Sequence, residues 1–241
     1  MSSVNDSSRA RVALLGSVIV TVLLYVVPYG QIIAWPLVLL STLAHEMGHG
    51  IAAVGMGGSF ESFVMFSDAS GLATWSGNVN RFERAFISAG GLIGPSVVAA
   101  LCFGIGRSTR ASRAALVLLG VGLILAEILV VRNLFGFGFV ALIAAGSLGL
   151  GLKGRDAAQW GVLFVGVQLA LSVFSRADYL FTATAQTGAG DHPSDVAHIA
   201  EALLLPYWFW GGAVGLLSVV VLVAGLASFF WPARATPSDA S

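Results

Sequence analysis

Apolar runs separated by short polar intervals dominate the chain. A helix needs about 20 mostly apolar residues to cross the hydrocarbon core of a bilayer. By that measure the chain divides into seven candidate spans, with six as the rival count. The first runs from Val12 to Val27, and Pro28-Tyr29-Gly30-Gln31 turns it into the second, Ile32 to Val54. A long polar interval, Gly55 to Arg84, precedes the third, Ala85 to Ile105, which is rich in small residues and broken by Pro95. The basic connector Arg107, Arg110 and Arg113 leads to the fourth, Ala114 to Val131. Arg132-Asn133 and the Gly-spaced stretch NLFGFG separate it from a short fifth, Val140 to Leu152, which gains length only if it begins near Leu134. The sixth is Ala158 to Phe174, and a polar stretch, Ser175 to Glu201, comes before the seventh, Leu203 to Trp231. From Trp210 to Trp231 is about 32 Å of helix, close to a bilayer with its aromatic interfaces.

Composition agrees with this pattern. Hydrophobic residues make up 57% and charged residues 10% of 241, and mean hydropathy is +0.89. So few charges could not cover the surface of a water-soluble fold. The expected class is an all-α polytopic membrane protein of six to seven transmembrane helices, with its surface facing a lipid bilayer. The sequence reads as one integral domain over residues 1–241, with residues 1–11 and 232–241 as flexible tails and the first apolar run retained, not cleaved. Twelve basic residues balance twelve acidic ones, and no basic stripe alternates with aromatics, which excludes a nucleic-acid partner. A single cysteine, Cys102, excludes an internal disulfide and a CxxC metal site. Lys and Arg fall six to each side of the seven-span topology, so charge bias leaves its orientation open.

The chemistry concentrates in the second span, in His45-Glu46-Met47-Gly48-His49. Histidines four apart share one helix face, so two imidazoles can bind one metal ion. Glu46, beside the first of them, is placed to act as general base toward water. Each ionisable group inside a span costs about 2.5–3.5 kcal/mol on insertion scales. Three on one helix need a shared purpose, and zinc supplies it. Two histidines leave a catalytic zinc site incomplete, since such sites have three protein ligands and an open position.

HEMGH in an early span, the polar interval after it, and Gly90-Gly91-Leu92-Ile93-Gly94-Pro95-Ser96 in the next span resemble the site-2 protease family of intramembrane zinc metalloproteases, in particular its compact M50B-peptidase-like branch. The resemblance implies a zinc endopeptidase in the cell membrane, acting on a membrane-spanning protein or peptide. It also implies an Asp from a later segment as third ligand, for which Asp195 is the best match and Asp191 the alternative. Asp178 and Glu201 are weaker candidates. The better-known branch carries an Asp-Gly pair in an Asn- and Pro-containing motif, which this sequence lacks. His192 and His198 read as exposed loop histidines.

The other polar groups admit two readings each. Glu127 lies inside the fourth span, and Arg132 is near enough in sequence to pair with it. Asn133 either closes the helix end or donates to a developing oxyanion beside the zinc. Phe60 to Phe66 and Leu72 to Trp75 are strand-like runs around Ser67-Asp68-Ala69-Ser70-Gly71, a β-hairpin-like loop after the second span. The family resemblance puts such a loop near the site, where its edge could take an extended substrate as an added strand. Gly48, Gly50 and Gly55 read as sites of close helix packing. The functional alternative is a metal-binding transporter or scaffold without proteolytic activity, though the chain lacks the related halves that many transporters show.

Overall fold

Backbone amides in lipid must be satisfied within the protein, so apolar runs of this length become helices. The structure, a computed structural model, describes residues 2–175 and 177–231, with the backbone alone at residues 2–7, 25, 31 and 178. In chain order its elements are α1 (Ser2–Val26), α2 (Gly30–Gly55), β1 (Ser59–Met65), β2 (Gly71–Ser76), α3 (Arg81–Ile105), α4 (Thr109–Leu129), α5 (Leu134–Lys153) and α6 (Arg155–Ser175). A short 3-10 turn (Ala177–Phe181), β3 (Thr184–Thr187), β4 (Gly190–Pro193), α7 (Asp195–Leu203) and α8 (Tyr207–Phe230) complete the described chain. Among the described residues six helices are long and apolar enough to cross a membrane: α2, α3, α4, α5, α6 and α8. The expected first span is helical as α1 but is not one of these six. The protein is an integral membrane protein, and among the described residues its strands form two small hairpins.

Local chemistry sets the boundaries. Asn80 caps α3 by accepting from the Phe82 and Glu83 amides, while the Glu83 carboxylate accepts from the Asn80 amide. This reciprocal box satisfies orphan donors of the first turn. Ser108, Asn133 and Ser194 cap α4, α5 and α7 in the same sense. Leu204 then adopts a left-handed conformation (φ 69°), and Pro206 follows, so α7 cannot run on into α8.

Several expectations are corrected. NLFGFG is not a separator, because Asn133 starts α5 and the glycines lie inside it. Pro95 does not break α3, which runs through it from Arg81 to Ile105; it only removes one hydrogen bond, to the carbonyl four residues back. Residues 2–11, expected as a tail, belong to α1, where Arg9 pairs with Asp156 at the start of α6; residues 232–241 lie outside the described chain. Glu127 and Arg132 do not pair. Arg132 donates to the carbonyls of Val131 and Leu129, which tie off the end of α4, and the Glu127 carboxylate keeps a buried Oε1 without a hydrogen-bond partner.

The hairpin-like loop is a hairpin, with β1 antiparallel to β2, Phe63 opposite Ala73 and Met65 opposite Gly71. Its turn is closed by the Asp68 carboxylate, which accepts from the Ser70 amide (2.9 Å) and hydroxyl (2.6 Å). The apolar face of the hairpin is buried: Phe63 and Met65 pack with Leu39 and Leu43 of α2, Val130 and Val131 after α4, and Val140 of α5. A second core joins Leu92 of α3, Val196 and Ile199 of α7, and Val214 of α8, fixing the short helix α7 against two long ones.

α2 and α3 approach through glycine. A Cβ at Gly48 would lie 2.4 Å from the Gly90 carbonyl oxygen, and one at Gly94 would lie 2.8 Å from that of Ala44. Gly50 instead faces the Phe60 ring of β1 and Gly55 has open space, so of the three glycines expected at close helix packing only Gly48 is at one. Gly48→Ala should therefore lower stability by about 1–3 kcal/mol through backbone overpacking. Gly55→Ala should be neutral or slightly stabilising. Denaturation of the two variants in the same detergent compares them directly.

Candidate metal centre and peptide cleft

One turn of α2 separates His45 from His49, and their rings meet edge to face with Nε2 atoms 3.1 Å apart. Asp195, the first residue of α7, completes the group: Oδ2 lies 3.0 Å from His45 Nε2 and Oδ1 3.3 Å from His49 Nε2. These atoms form a cluster able to hold a metal ion. Zinc bonds of about 2.0–2.1 Å in a tetrahedral shell place ligand atoms about 3.3 Å from one another. The donor set thus fits zinc in both type and spacing, with a fourth position left over.

Neighbouring groups aim each ligand. His49 Nδ1 donates to the Ile87 carbonyl (2.9 Å), since a carbonyl can only accept, and this turns Nε2 toward the other two ligands. Gly91 makes room for that ring: a Cβ there would sit 2.1 Å from Nε2. The Tyr179 hydroxyl donates to Asp195 Oδ2 (3.3 Å), and its ring stacks edge-on against His45. Ser194, which caps α7, is locked by its amide to the Ala183 carbonyl (2.9 Å) and by its hydroxyl to that of Thr182 (2.6 Å). Burial opposes the charge on Asp195, but the facing imidazoles of His49 and His45 outweigh it and hold the carboxyl well below the usual carboxylate range.

Glu46 connects this centre to the first hairpin. It is buried, and its Oε2 accepts from the Ala73 amide of β2 at 2.7 Å. Thr42, one turn earlier, donates to the Ala69 carbonyl in the turn (2.7 Å). Gly71 lies so close to the Glu46 side chain that a Cβ would meet its Cγ at 2.8 Å.

The polar stretch before the last span forms a second wall. β3 pairs with β4, Ala185 opposite His192 and Gln186 opposite Asp191. The two hairpins meet at their tips, where the Gly188 amide donates to the Ser70 hydroxyl (2.9 Å) and Gly188 packs on Phe66. Between them lie two adjoining cavities of about 460 and 540 Å³. His45, Glu46, Gly71, Tyr179, Ala185 and Thr187 line both, so the metal group and the carboxylate face one cleft between β2 and β3.

Of the carboxylates considered for the third position, only Asp195 joins the histidines among the described residues. Asp191 is exposed on β4, Glu201 lines the cleft but is exposed, and the Asp178 side chain lies outside the described residues. His192 and His198 are not exposed loop residues; both are partly buried along the cleft, on β4 and α7. Asn133, expected to close a helix end or to face an oxyanion, caps the start of α5, and its amide is also bound to β1: Nδ2 donates to the Met65 carbonyl (2.7 Å) and Oδ1 accepts from the Met65 amide (3.1 Å). The sequence reading missed Tyr179, the Ile87 carbonyl and the Ala73 amide. The last two are backbone groups, without a side-chain signature. The second hairpin did leave one, Gly188-Ala189-Gly190 after the Thr-rich run Thr182 to Thr187.

Neither the comparison with curated proteins nor that with solved structures returned a match. The comparison with protein families did: the model described as Peptidase M50B-like matches residues 16–225, a stretch that takes in both histidines of α2, the two hairpins and Asp195. The chain therefore belongs to the Peptidase M50B-like family.

Proposed function

We propose that the protein is a zinc-dependent endopeptidase of the cell membrane that cleaves membrane-spanning protein or peptide segments. The observation that carries this reading is the convergence of His45, His49 and Asp195 beside Glu46, on a cleft flanked by the edge of β2 that no strand covers among the described residues, where Glu46 itself holds the Ala73 amide. Zinc bound by the three side chains would act as a Lewis acid and lower the pKa of water at the fourth position. Glu46 lies next to the first ligand in sequence, and the Ala73 amide fixes one of its oxygens. Its carboxylate takes the proton from water as the peptide carbonyl is attacked, then passes it to the leaving amine nitrogen.

The substrate must reach this site in extended form, because a helical peptide bond is shielded by its own backbone. β2 supplies a template. It forms one edge of its two-stranded sheet, and the other edge, β1, is already covered by Val130 to Arg132. A peptide laid along β2 as an added strand would pass Glu46, held there by main-chain bonds with little demand on side-chain identity.

Two measurements test this reading. Glu46→Gln should lower cleavage of a membrane-embedded peptide by about 10²–10⁴-fold while about one zinc per chain stays bound; cleavage at the normal rate would remove Glu46 from the mechanism. His45→Ala, His49→Ala and Asp195→Ala should each strip zinc from the purified protein, whereas Asp191→Ala should keep it. Metal analysis of the four variants decides between Asp195 and Asp191 without relying on activity.

A further inference from the structure

The Asn133 amide performs the work of a strand residue. Val130 and Arg132 extend the edge of β1 through Phe63, whose amide donates to the Val130 carbonyl (2.7 Å) and whose carbonyl accepts from the Arg132 amide (2.9 Å). Two residues along β1 the next backbone pair is that of Met65. The chain has by then turned into α5, and the side chain of Asn133 takes over: it accepts from the Met65 amide and donates to the Met65 carbonyl. The same Oδ1 accepts from the Gly136 amide (3.3 Å), capping α5. One side chain thus joins the α4–α5 junction to the far end of β1.

From Met65 the connection continues to the site. Met65 is opposite Gly71, and Phe63 is opposite Ala73. Ala73 donates to Glu46, and Gly71 packs against the Glu46 side chain. The position of β2, and with it both the anchor of the carboxylate and the edge offered to a peptide, depends on where β1 is held. A two-stranded hairpin alone is at best marginally stable in water, so its placement comes from such attachments.

We propose that Asn133 is a positioning residue for the reaction, acting through β1 and β2 to set the Glu46 carboxylate and the substrate-binding edge, and not an oxyanion donor in the cleft. This rests on the peptidase reading above. Its loss loosens the hairpin at the Met65 end, so peptide binding weakens and turnover slows together, while the zinc ligands, carried by α2 and α7, stay in place.

The test compares wild type with Asn133→Ala and Asn133→Asp in the full-length protein. The Asp variant keeps the acceptor for the Met65 and Gly136 amides but turns a charged oxygen, in place of the donor, toward the Met65 carbonyl. Both variants should keep about one zinc per chain and unchanged amide exchange in α3 and α8. Exchange at the β1 and β2 amides should quicken in both variants. The ratio kcat/KM should fall about 10–100-fold, as for other supporting residues, with KM raised as well as kcat lowered. Binding of an uncleaved peptide to protein also carrying Glu46→Gln should weaken in parallel. A fall in kcat with hairpin exchange and KM unchanged would overturn the proposal in favour of direct oxyanion contact, and unaltered kinetics would overturn it outright. Wild-type protein that neither holds zinc nor cleaves would sink the underlying reading, and it is recognised before any variant is made.

Discussion

Two imidazole nitrogens and the two oxygens of one carboxylate face one another at 3.0–3.3 Å, close enough to share a single cation. Polar groups buried among apolar helices lose hydration and must be repaid by partners. Here the partners are one another, which leaves lone pairs converging on a single point. A proton can occupy it; a divalent ion fits the spacing and donor types better. The surrounding groups serve that convergence. The Ile87 carbonyl orients one imidazole, Tyr179 holds the carboxylate from behind, and Gly91 gives the His49 ring its room.

The same helix face joins the candidate metal group to the cleft. Thr42, His45, Glu46 and His49 follow one another at three- and four-residue intervals along α2. Thr42 and Glu46 point to the first hairpin, and the histidines to Asp195. Displacing α2 would therefore move both histidines and the Glu46 carboxylate as a unit, preserving their mutual geometry. Its approach to α3 through Gly48, Gly90 and Gly94 fixes where that unit sits relative to Ile87, which α3 carries.

Much of this was legible in the sequence, for identifiable reasons. HEMGH could be read because its ligands lie on one helix, where spacing alone determines geometry. The first hairpin could be read because a turn-forming cluster separates two β-favouring runs. Asp195 is joined to the histidines only by tertiary packing, with Val196 and Ile199 seating α7 against α3 and α8; periodicity carries no trace of that, and only the family resemblance favoured it over Asp191. Nearness in sequence misled for Glu127 and Arg132, because the exposed carbonyls at the end of α4 were the closer acceptors for the guanidinium. Asn133 was noticed as a polar residue at a helix end, but its main partner, Met65, is 68 residues away.

The two walls of the cleft are held unequally. The first hairpin is attached at three places: to α2 through Thr42 and Glu46, to the α4–α5 junction through Phe63 and Met65, and to the core through its apolar face. The second is tied at its base by Ser194 and touches the first at Gly188 and Ser70. Its strands are four residues each, and most of their side chains are exposed or only partly buried. Main-chain bonds and buried apolar area both favour the first hairpin, so local opening costs less in the second. The Glu46 carboxylate thus leans on the firmer wall, and the wall that can yield stands across the cleft from it.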